Sequence, residues 1–175
     1  MRSVSLWWDE LPLALAAPLG TPLGGDATAD VAIVGAGYTG LWTAYYLQQI
    51  DPSIRVRILD ANVAGYGASG RNGGWASALF PASLRQLAAH SSRDEAIRMR
   101  RAMFDTVDEI GRVADAEDWQ INWAKGGTLG VARSQVQAER ARADVADARN
   151  WGFGDADSTL LDRDATLQRV QMSDT

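Results

Sequence analysis

The chain has 175 residues, of which 46% are hydrophobic and 22% charged, as expected for a globular protein of one domain or a little more. Its formal net charge of −5 disfavours nucleic acid and anionic membrane surfaces as partners. The absence of cysteine excludes disulfides and thiolate metal sites, and the single histidine has no cluster of acidic residues at ligand spacing, so we expect no metal site.

Residues 1–28 are predicted to form an N-terminal arm that packs on the following domain, with Trp7 and Trp8 as apolar anchors. The arm contains an apolar run over 11–20, which is too short to span a bilayer. Two acidic residues precede this run, whereas a secretory signal carries positive charge before its apolar core. We therefore expect no membrane span and a cytoplasmic location.

The next segment predicts a strand, a tight turn, a helix and a second strand. Residues 29–34 are typical of a buried parallel strand, 38–50 have helical apolar spacing, and a second strand over 54–60 ends in Asp60. The turn has the spacing Gly-x-Gly-x-x-Gly and consists of Gly35, Ala36, Gly37, Tyr38, Thr39 and Gly40. This order of elements is the dinucleotide-binding fingerprint.

Each glycine of the turn, and the acid, has a separate predicted role. Gly35 allows a sharp turn out of the strand, Gly37 allows close approach to a pyrophosphate, and Gly40 allows close packing of helix on strand. The amino end of the helix would face the phosphates. Asp60 would accept a hydrogen bond from a ribose hydroxyl and disfavour NADP. The alternative is a βαβ unit in which the glycines serve packing alone.

A second glycine-rich loop follows the second strand over residues 64–75. Its five glycines argue against a stable helix or strand interior. Backbone amides, the Ser69 hydroxyl and the Arg71 guanidinium could contact phosphate there. The alternative is a solvent-exposed loop with an ordinary arginine.

The remaining sequence predicts three helices and one hairpin. Residues 83–118 are expected to form two helices with a break near His90. Alternating apolar residues predict strands over 119–123 and 128–132, on either side of a glycine turn. A charged helix is expected over 134–151.

Taken together, segment 30–40, Asp60 and the loop 67–74 resemble the FAD-dependent oxidoreductases of the D-amino-acid oxidase type. That group includes glycine oxidase, sarcosine oxidase and the γ-glutamylputrescine oxidoreductases, and the second loop looks most like the last of these. Segments 6–12 and 126–132 are also similar to the family, so the resemblance extends over nearly the whole chain.

The expected fold class is α/β: a Rossmann-like FAD-binding βαβ unit, a helical segment and the start of an α+β substrate domain. The predicted parts are an arm (1–28), the FAD-binding unit with its second glycine loop (29–80), a helical segment (81–118) and the start of the substrate domain (119–175). Because one βαβ unit supplies only two parallel strands, whereas parallel sheets need cover on both faces, we expect a truncated chain.

The resemblance implies FAD, with its pyrophosphate at the first glycine turn and its adenosine ribose at Asp60. The second loop would line the pyrophosphate and approach the flavin with Ala68, Ser69, Gly70, Arg71, Asn72, Gly73 and Gly74. This loop contains no histidine or cysteine to which a flavin could be attached, so non-covalent binding is expected. The family more often has glutamate at the position of Asp60. The aspartate side chain is one methylene shorter, so its carboxylate reaches less far.

The implied reaction oxidises a small-molecule amine or amino acid. Hydride passes from the carbon beside the nitrogen to flavin N5, the imine product hydrolyses, and oxygen or another electron acceptor reoxidises the flavin. No catalytic residue is assigned, because a neutral substrate amine needs no obligatory base. The alternative is a non-catalytic or degenerate dinucleotide-binding module. NAD binding is a third possibility, which the second glycine loop disfavours.

Overall fold

A computed structural model of the protein describes residues 5–171, in which helices are combined with one small parallel sheet. The helices and strands are α1 (Leu6–Glu10), β1 (Val31–Val34), α2 (Tyr38–Ile50), β2 (Val56–Leu59), α3 (Leu84–His90), α4 (Arg93–Ala116), α5 (Gln135–Asn150) and α6 (Arg163–Leu167). The chain divides into two compact units, the first ending at Trp75 and the second beginning at Ala76.

The first unit is built on a βαβ arrangement. β1 and β2 pair in parallel, with Val31 opposite Val56 and Val34 opposite Leu59. The α2 helix connects them and packs on the face of β1 that carries Ile33. Burial alternates along β1, so that Val34 on the other face is 89% exposed. Both strands and the helix lie where the sequence predicts them, apart from one or two residues at the strand ends.

An ion pair joins the beginnings of the two strands. The guanidinium of Arg55 donates to both carboxylate oxygens of Asp30, over 2.8 and 2.9 Å, and the Arg55 backbone N–H donates to the same carboxylate over 2.9 Å. These bonds lower the pKa of Asp30 to about 2. The pair holds the parallel register where the strands enter the sheet.

The second unit is helical. Its core consists of Ala96 in α4 with Trp151 and Phe153, which follow α5. Half-buried apolar side chains surround this core, namely Leu84, Leu87, Ala88, Ile97, Phe104 and Ala148. Side chains of Ser83, Ser92 and Ser134 cap the first turns of α3, α4 and α5. The predicted pair of helices with a break near His90 is confirmed.

The predicted hairpin over 119–132 is absent, and this expectation was wrong for the described structure. The segment turns early, because the Ile121 N–H donates to the Trp119 carbonyl over 2.8 Å and Asn122 has a φ of +51°. Trp123 lies against Gly111 of α4 instead of continuing a strand. Two strands without a sheet are marginal, so local turns and a helix contact dominate here.

Among residues 5–171, no helix is long and apolar enough to cross a membrane.

Candidate functional site

The first glycine loop joins β1 to α2. Gly35 has a φ of +103°, which side chains rarely adopt, and its N–H donates to the Leu59 carbonyl over 2.7 Å. The helix begins at Tyr38, and the Leu41 N–H donates to the Gly37 carbonyl over 3.0 Å. Because the first-turn amides have no partner within a helix, this end of α2 offers N–H donors and the positive end of the helix dipole.

Steric requirements differ among the three glycines of this loop. A Cβ at Gly40 would lie closer than 3.0 Å to the Gly35 carbonyl oxygen and 3.1 Å from Cγ2 of Ile33, so the close helix–strand packing predicted for Gly40 is present. A Cβ at Gly37 would lie 3.0 Å from Oγ of Ser69. At Gly35 no atom lies within 4 Å of such a Cβ, so its positive φ, and not a lack of space, requires glycine.

Asp60 directly follows β2 and contacts the first glycine loop. Its Oδ2 accepts a hydrogen bond from the Ala36 N–H, and its Oδ1 accepts one from the Asn62 N–H, each over 2.8 Å. These two backbone donors lower the pKa of the Asp60 carboxyl. Since each carboxylate oxygen has a second lone pair, the ionised side chain retains capacity to accept a ligand hydroxyl.

The second glycine loop meets the first at the amino end of α2. The loop contains a single 3-10 turn over Ala68–Gly70. The Gly65 N–H donates to the Ala36 carbonyl over 2.8 Å, and the Tyr38 N–H donates to Oγ of Ser69 over 2.9 Å. A hydroxyl that accepts one hydrogen bond still carries a hydrogen to donate. Ser69 therefore places a possible donor beside the helix amides.

Arg71 lies against its own loop. Its Nε donates to the Tyr66 carbonyl over 2.9 Å, and its guanidinium carbon lies 4.6 Å from the centre of the Tyr66 ring. The sequence predicts this guanidinium against phosphate. The side chain is exposed, and of its five N–H donors the described contacts use the one on Nε.

Asn72 closes a turn at the exposed end of the same loop. Its Nδ2 donates to the Ser69 carbonyl over 2.7 Å, and its Oδ1 accepts from the Gly74 N–H over 2.8 Å. Gly74 has a φ of +78°, which favours glycine there. The side chain of Asn72 therefore shapes the backbone from Ser69 onward.

The structure brings most of the predicted residues to one place, around the amino end of α2. Residues joined there by direct hydrogen bonds are Ala36, Tyr38, Asp60 and Ser69. Gly35, Gly37, Thr39 and Gly40 belong to the same turn and first helical turn, whereas Ala68 and Gly70 flank Ser69. In the exposed stretch Arg71, Asn72, Gly73 and Gly74, the side chains of Arg71 and Asn72 form hydrogen bonds within the loop, and the Asn72 carbonyl accepts one from Trp7 of α1.

Two residues that hold the glycine loops in place were not predicted from the sequence. Tyr66 contacts both Arg71 and Trp8, and Gly65 joins the two loops. Tyr66 could have been noticed in the sequence, because it is an aromatic residue inside a glycine-rich stretch. Gly65 belongs to the predicted glycine-rich loop, but its role in joining the two loops was missed because that role depends on a backbone hydrogen bond between distant segments. No group of three or more potential metal ligands lies together in the described part of the chain.

Comparison with known proteins identifies the family. The profile of the family described as FAD dependent oxidoreductase matches residues 30–175, which includes both glycine loops. The chain belongs to this family. The family is FAD-dependent, and its Rossmann-like fold agrees with the parallel βαβ arrangement of the first unit.

Individual members of the FAD-dependent oxidoreductase family are similar to the chain at about 30% identity. A probable oxidoreductase OrdL of Haemophilus influenzae is 31% identical over 125 residues, covering 71% of this chain and 28% of its own length. Gamma-glutamylputrescine oxidoreductase of Escherichia coli is 30% identical over 155 residues, covering 88% and 35%. A second probable OrdL, from Rhizobium meliloti, is 31% identical over 152 residues, covering 85% and 34%.

The chain spans about a third of the length of these curated relatives. No solved structure matches it significantly.

Proposed function

We propose that the first unit binds FAD non-covalently between its two glycine loops, and that the chain carries the cofactor-binding part of an amine or amino-acid oxidoreductase. The pyrophosphate is assigned to the amino end of α2, between residues 35–40 and 68–74. The adenosine ribose is assigned to Asp60. Family membership supports the choice of FAD over NAD.

One observation carries the proposal: the hydrogen bond from the Tyr38 N–H to Ser69 Oγ, which joins the two loops at a helix amino end. A pyrophosphate carries negative charge, and this end of α2 offers backbone N–H groups at the positive end of the dipole. The glycine at position 37 keeps side-chain atoms out of the same place. Ser69 has a hydroxyl hydrogen to offer, and Arg71 adds a nearby positive charge on an exposed side chain.

Asp60 supports the ribose assignment. It stands at the carboxyl end of β2, where dinucleotide-binding folds hold the ribose hydroxyls. An aspartate is ionised at neutral pH even at its ordinary pKa of 3.8, and the pKa of Asp60 is lowered further, so the side chain acts as an acceptor only. Two backbone N–H groups fix the carboxylate before any ligand arrives.

The bound flavin would supply hydride acceptance from the carbon beside a substrate nitrogen. The residues of this chain would bind and orient it, and none is assigned a catalytic role. The relative named gamma-glutamylputrescine oxidoreductase supports an amine as the substrate, so gamma-glutamylputrescine is the first compound to test within a panel of amines and amino acids. Oxygen or another acceptor would complete the turnover.

The cofactor assignment is tested by titrating the purified chain with FAD and following flavin fluorescence, with NAD as competitor. We expect saturable binding that NAD does not displace, and release of intact FAD on heat denaturation. Flavin that stays with the precipitated protein would contradict non-covalent attachment. A chain with helical circular dichroism that ignores FAD would contradict the proposal.

Substitution at Asp60 tests the ribose assignment within the same assay. Asp60→Ala is expected to weaken FAD binding about tenfold or more, because it removes both the ribose acceptor and the bond to the Ala36 N–H. Asp60→Glu keeps the carboxylate and should retain most of the affinity. Asp26→Ala removes an exposed acid outside the site and serves as the matched control. Equal affinities for all three variants would contradict this role.

The oxidoreductase assignment needs a separate assay. The flavin-loaded protein is mixed anaerobically with each amine or amino acid, and loss of the visible flavin absorption reports reduction. Bleaching by amines but not by the corresponding alcohols is the expected result. FAD binding without bleaching by any member of the panel would favour the non-catalytic module only when the protein assayed spans the full length of the relatives, of which this chain covers about a third.

A further inference from the structure

The short helix α1 docks on the second glycine loop. Oγ of Ser5 donates to the Gly70 carbonyl over 2.7 Å, and Nε1 of Trp7 donates to the Asn72 carbonyl over 2.9 Å. These partners are separated by 65 positions in the chain. The arm is therefore anchored to the loop by hydrogen bonds to two of its carbonyl groups.

Trp8 is the buried element of this contact. Trp8 is only 7% exposed. Its ring meets the Tyr66 ring edge-on, with 5.9 Å between the ring centres. Tyr66 in turn holds Arg71. Trp8 thus reaches the second loop through an aromatic side chain that itself fixes the position of the loop arginine.

Two glycines of the loop are the places where the indoles approach. A Cβ at Gly70 would lie 2.8 Å from Nε1 of Trp8, and a Cβ at Gly74 would lie closer than 3.0 Å to the ring of Trp7. Because real Cβ atoms are essentially never that close, neither position accepts a side chain without displacing α1. The loop's own backbone also requires both glycines, because a Cβ at Gly70 would lie closer than 3.0 Å to the Gly65 carbonyl oxygen and Gly74 has a φ of +78°. The indoles of the arm therefore occupy the space that these glycines leave open.

The chemistry of Trp8 indicates what the contact requires. Its Nε1 is buried and has no hydrogen-bond partner among the described residues. A buried donor without a partner costs free energy, since it has lost its hydrogen bond to water. The ring volume, and not the N–H group, is therefore the stabilising part of this side chain.

From these contacts we infer that α1 clamps the second glycine loop, and that Trp8 is a positioning residue for the cofactor. Gly70, whose carbonyl is held by Ser5 just before α1, is adjacent to Ser69, whose hydroxyl meets the amino end of α2. Holding this backbone keeps Ser69 and Asn72 arranged before the ligand binds, so less conformational entropy is lost on binding. This inference rests on the proposed FAD site.

Limited trypsin digestion tests the clamp without any cofactor. Arg71 is an exposed cleavage site inside the clamped loop, whereas Arg57 lies in β2 and reports general unfolding of the unit. Trp8→Ala is expected to accelerate cleavage after Arg71 about tenfold while cleavage after Arg57 stays slow, because only the loop is released. Trp8→Phe, which keeps a ring and removes the N–H, should cleave like the wild type.

The matched control is Leu6→Ala, which truncates an exposed side chain of the same helix. Equal cleavage after Arg71 in Trp8→Ala and Leu6→Ala would overturn the clamp. If Trp8→Ala accelerates cleavage at both arginines, the milder Ser5→Ala decides. It should accelerate cleavage only after Arg71, and no change there would overturn the inference.

FAD titration of the same variants tests positioning. Trp8→Ala is expected to bind FAD about tenfold more weakly, with rescue by Trp8→Phe and no change in Leu6→Ala. Unchanged affinity in a Trp8→Ala protein with a released loop would overturn the positioning role. A wild-type chain that ignores FAD while its loop is clamped would overturn the proposed function and leave the clamp itself established by digestion.

Discussion

Gly35 and Gly40 lie in one turn but are required for different reasons. Gly35 adopts a positive φ with open space around it, whereas Gly40 has ordinary torsions and no room for a Cβ. The difference matters for substitution, because strain at Gly35 is local to the backbone. A side chain at Gly40 would push α2 away from β1.

Gly40→Ala is therefore expected to lower the free energy of unfolding by about 1–3 kcal/mol, despite the better helix propensity of alanine. The clashing atom is a backbone carbonyl oxygen, which cannot move without shifting the turn. Urea denaturation followed by circular dichroism measures the change. Gly24→Ala, where nothing lies within 4 Å of the new Cβ, is the control and should stay near the wild type. Equal stability of both variants would contradict the packing role.

At the scale of elements, the two strands are held together by backbone pairing and by the Asp30–Arg55 ion pair at their beginnings. The pair is exposed, so its effect on stability is expected to be modest and dependent on salt. The pH range in which the ion pair loses its stabilising effect can nevertheless be predicted from the pKa of Asp30. Asp30 has a lower pKa in the folded chain than its ordinary value of 3.8.

Because the folded-state pKa of Asp30 is depressed, its stabilising contribution is complete above the ordinary value of 3.8 and is lost as pH falls toward about 2. Asp30→Asn is expected to lower stability slightly at neutral pH and to lose less stability on acidification than the wild type. Urea denaturation at a series of pH values measures both effects. Asp26→Asn removes the same charge from an exposed position outside the pair. An identical acid response of the two variants would rule out the ion pair as its cause.

At the scale of the whole molecule, the described residues of the first unit leave one face of its parallel sheet uncovered. The side chains of Ile33 and Val34 are neighbours in β1, yet the first is half-buried beneath α2 and the second is 89% exposed. Parallel sheets in α/β proteins are covered on both faces. Exposed apolar surface of this kind promotes association.

Val34→Thr is expected to change the free energy of unfolding by less than about 0.5 kcal/mol and to reduce self-association in light scattering. Ile33→Thr introduces the same β-branched polar side chain beneath the helix and should cost about 1–3 kcal/mol, because a hydroxyl loses its water there. Sedimentation velocity and urea denaturation give the two readouts. The interpretation fails if both variants lose the same stability.

Much of this arrangement could be predicted from local pattern. The βαβ unit and the helix pair 84–116 follow from apolar spacing and glycine position. The hairpin over 119–132 could not be predicted correctly, because alternation describes a strand only when a neighbouring strand is present. The contacts of Trp123 with Gly111 replaced that pairing.

The sequence by itself determined the βαβ unit and the family, because glycine spacing, strand alternation and a terminal acid are local properties of the chain. Only the tertiary structure decided that Asp60 binds Ala36, that Ser69 meets Tyr38 and that the indole of Trp8 lies on Gly70. Each of these contacts joins residues at least 24 positions apart. The energy of such contacts depends on distances set by the folded backbone, which no local pattern encodes.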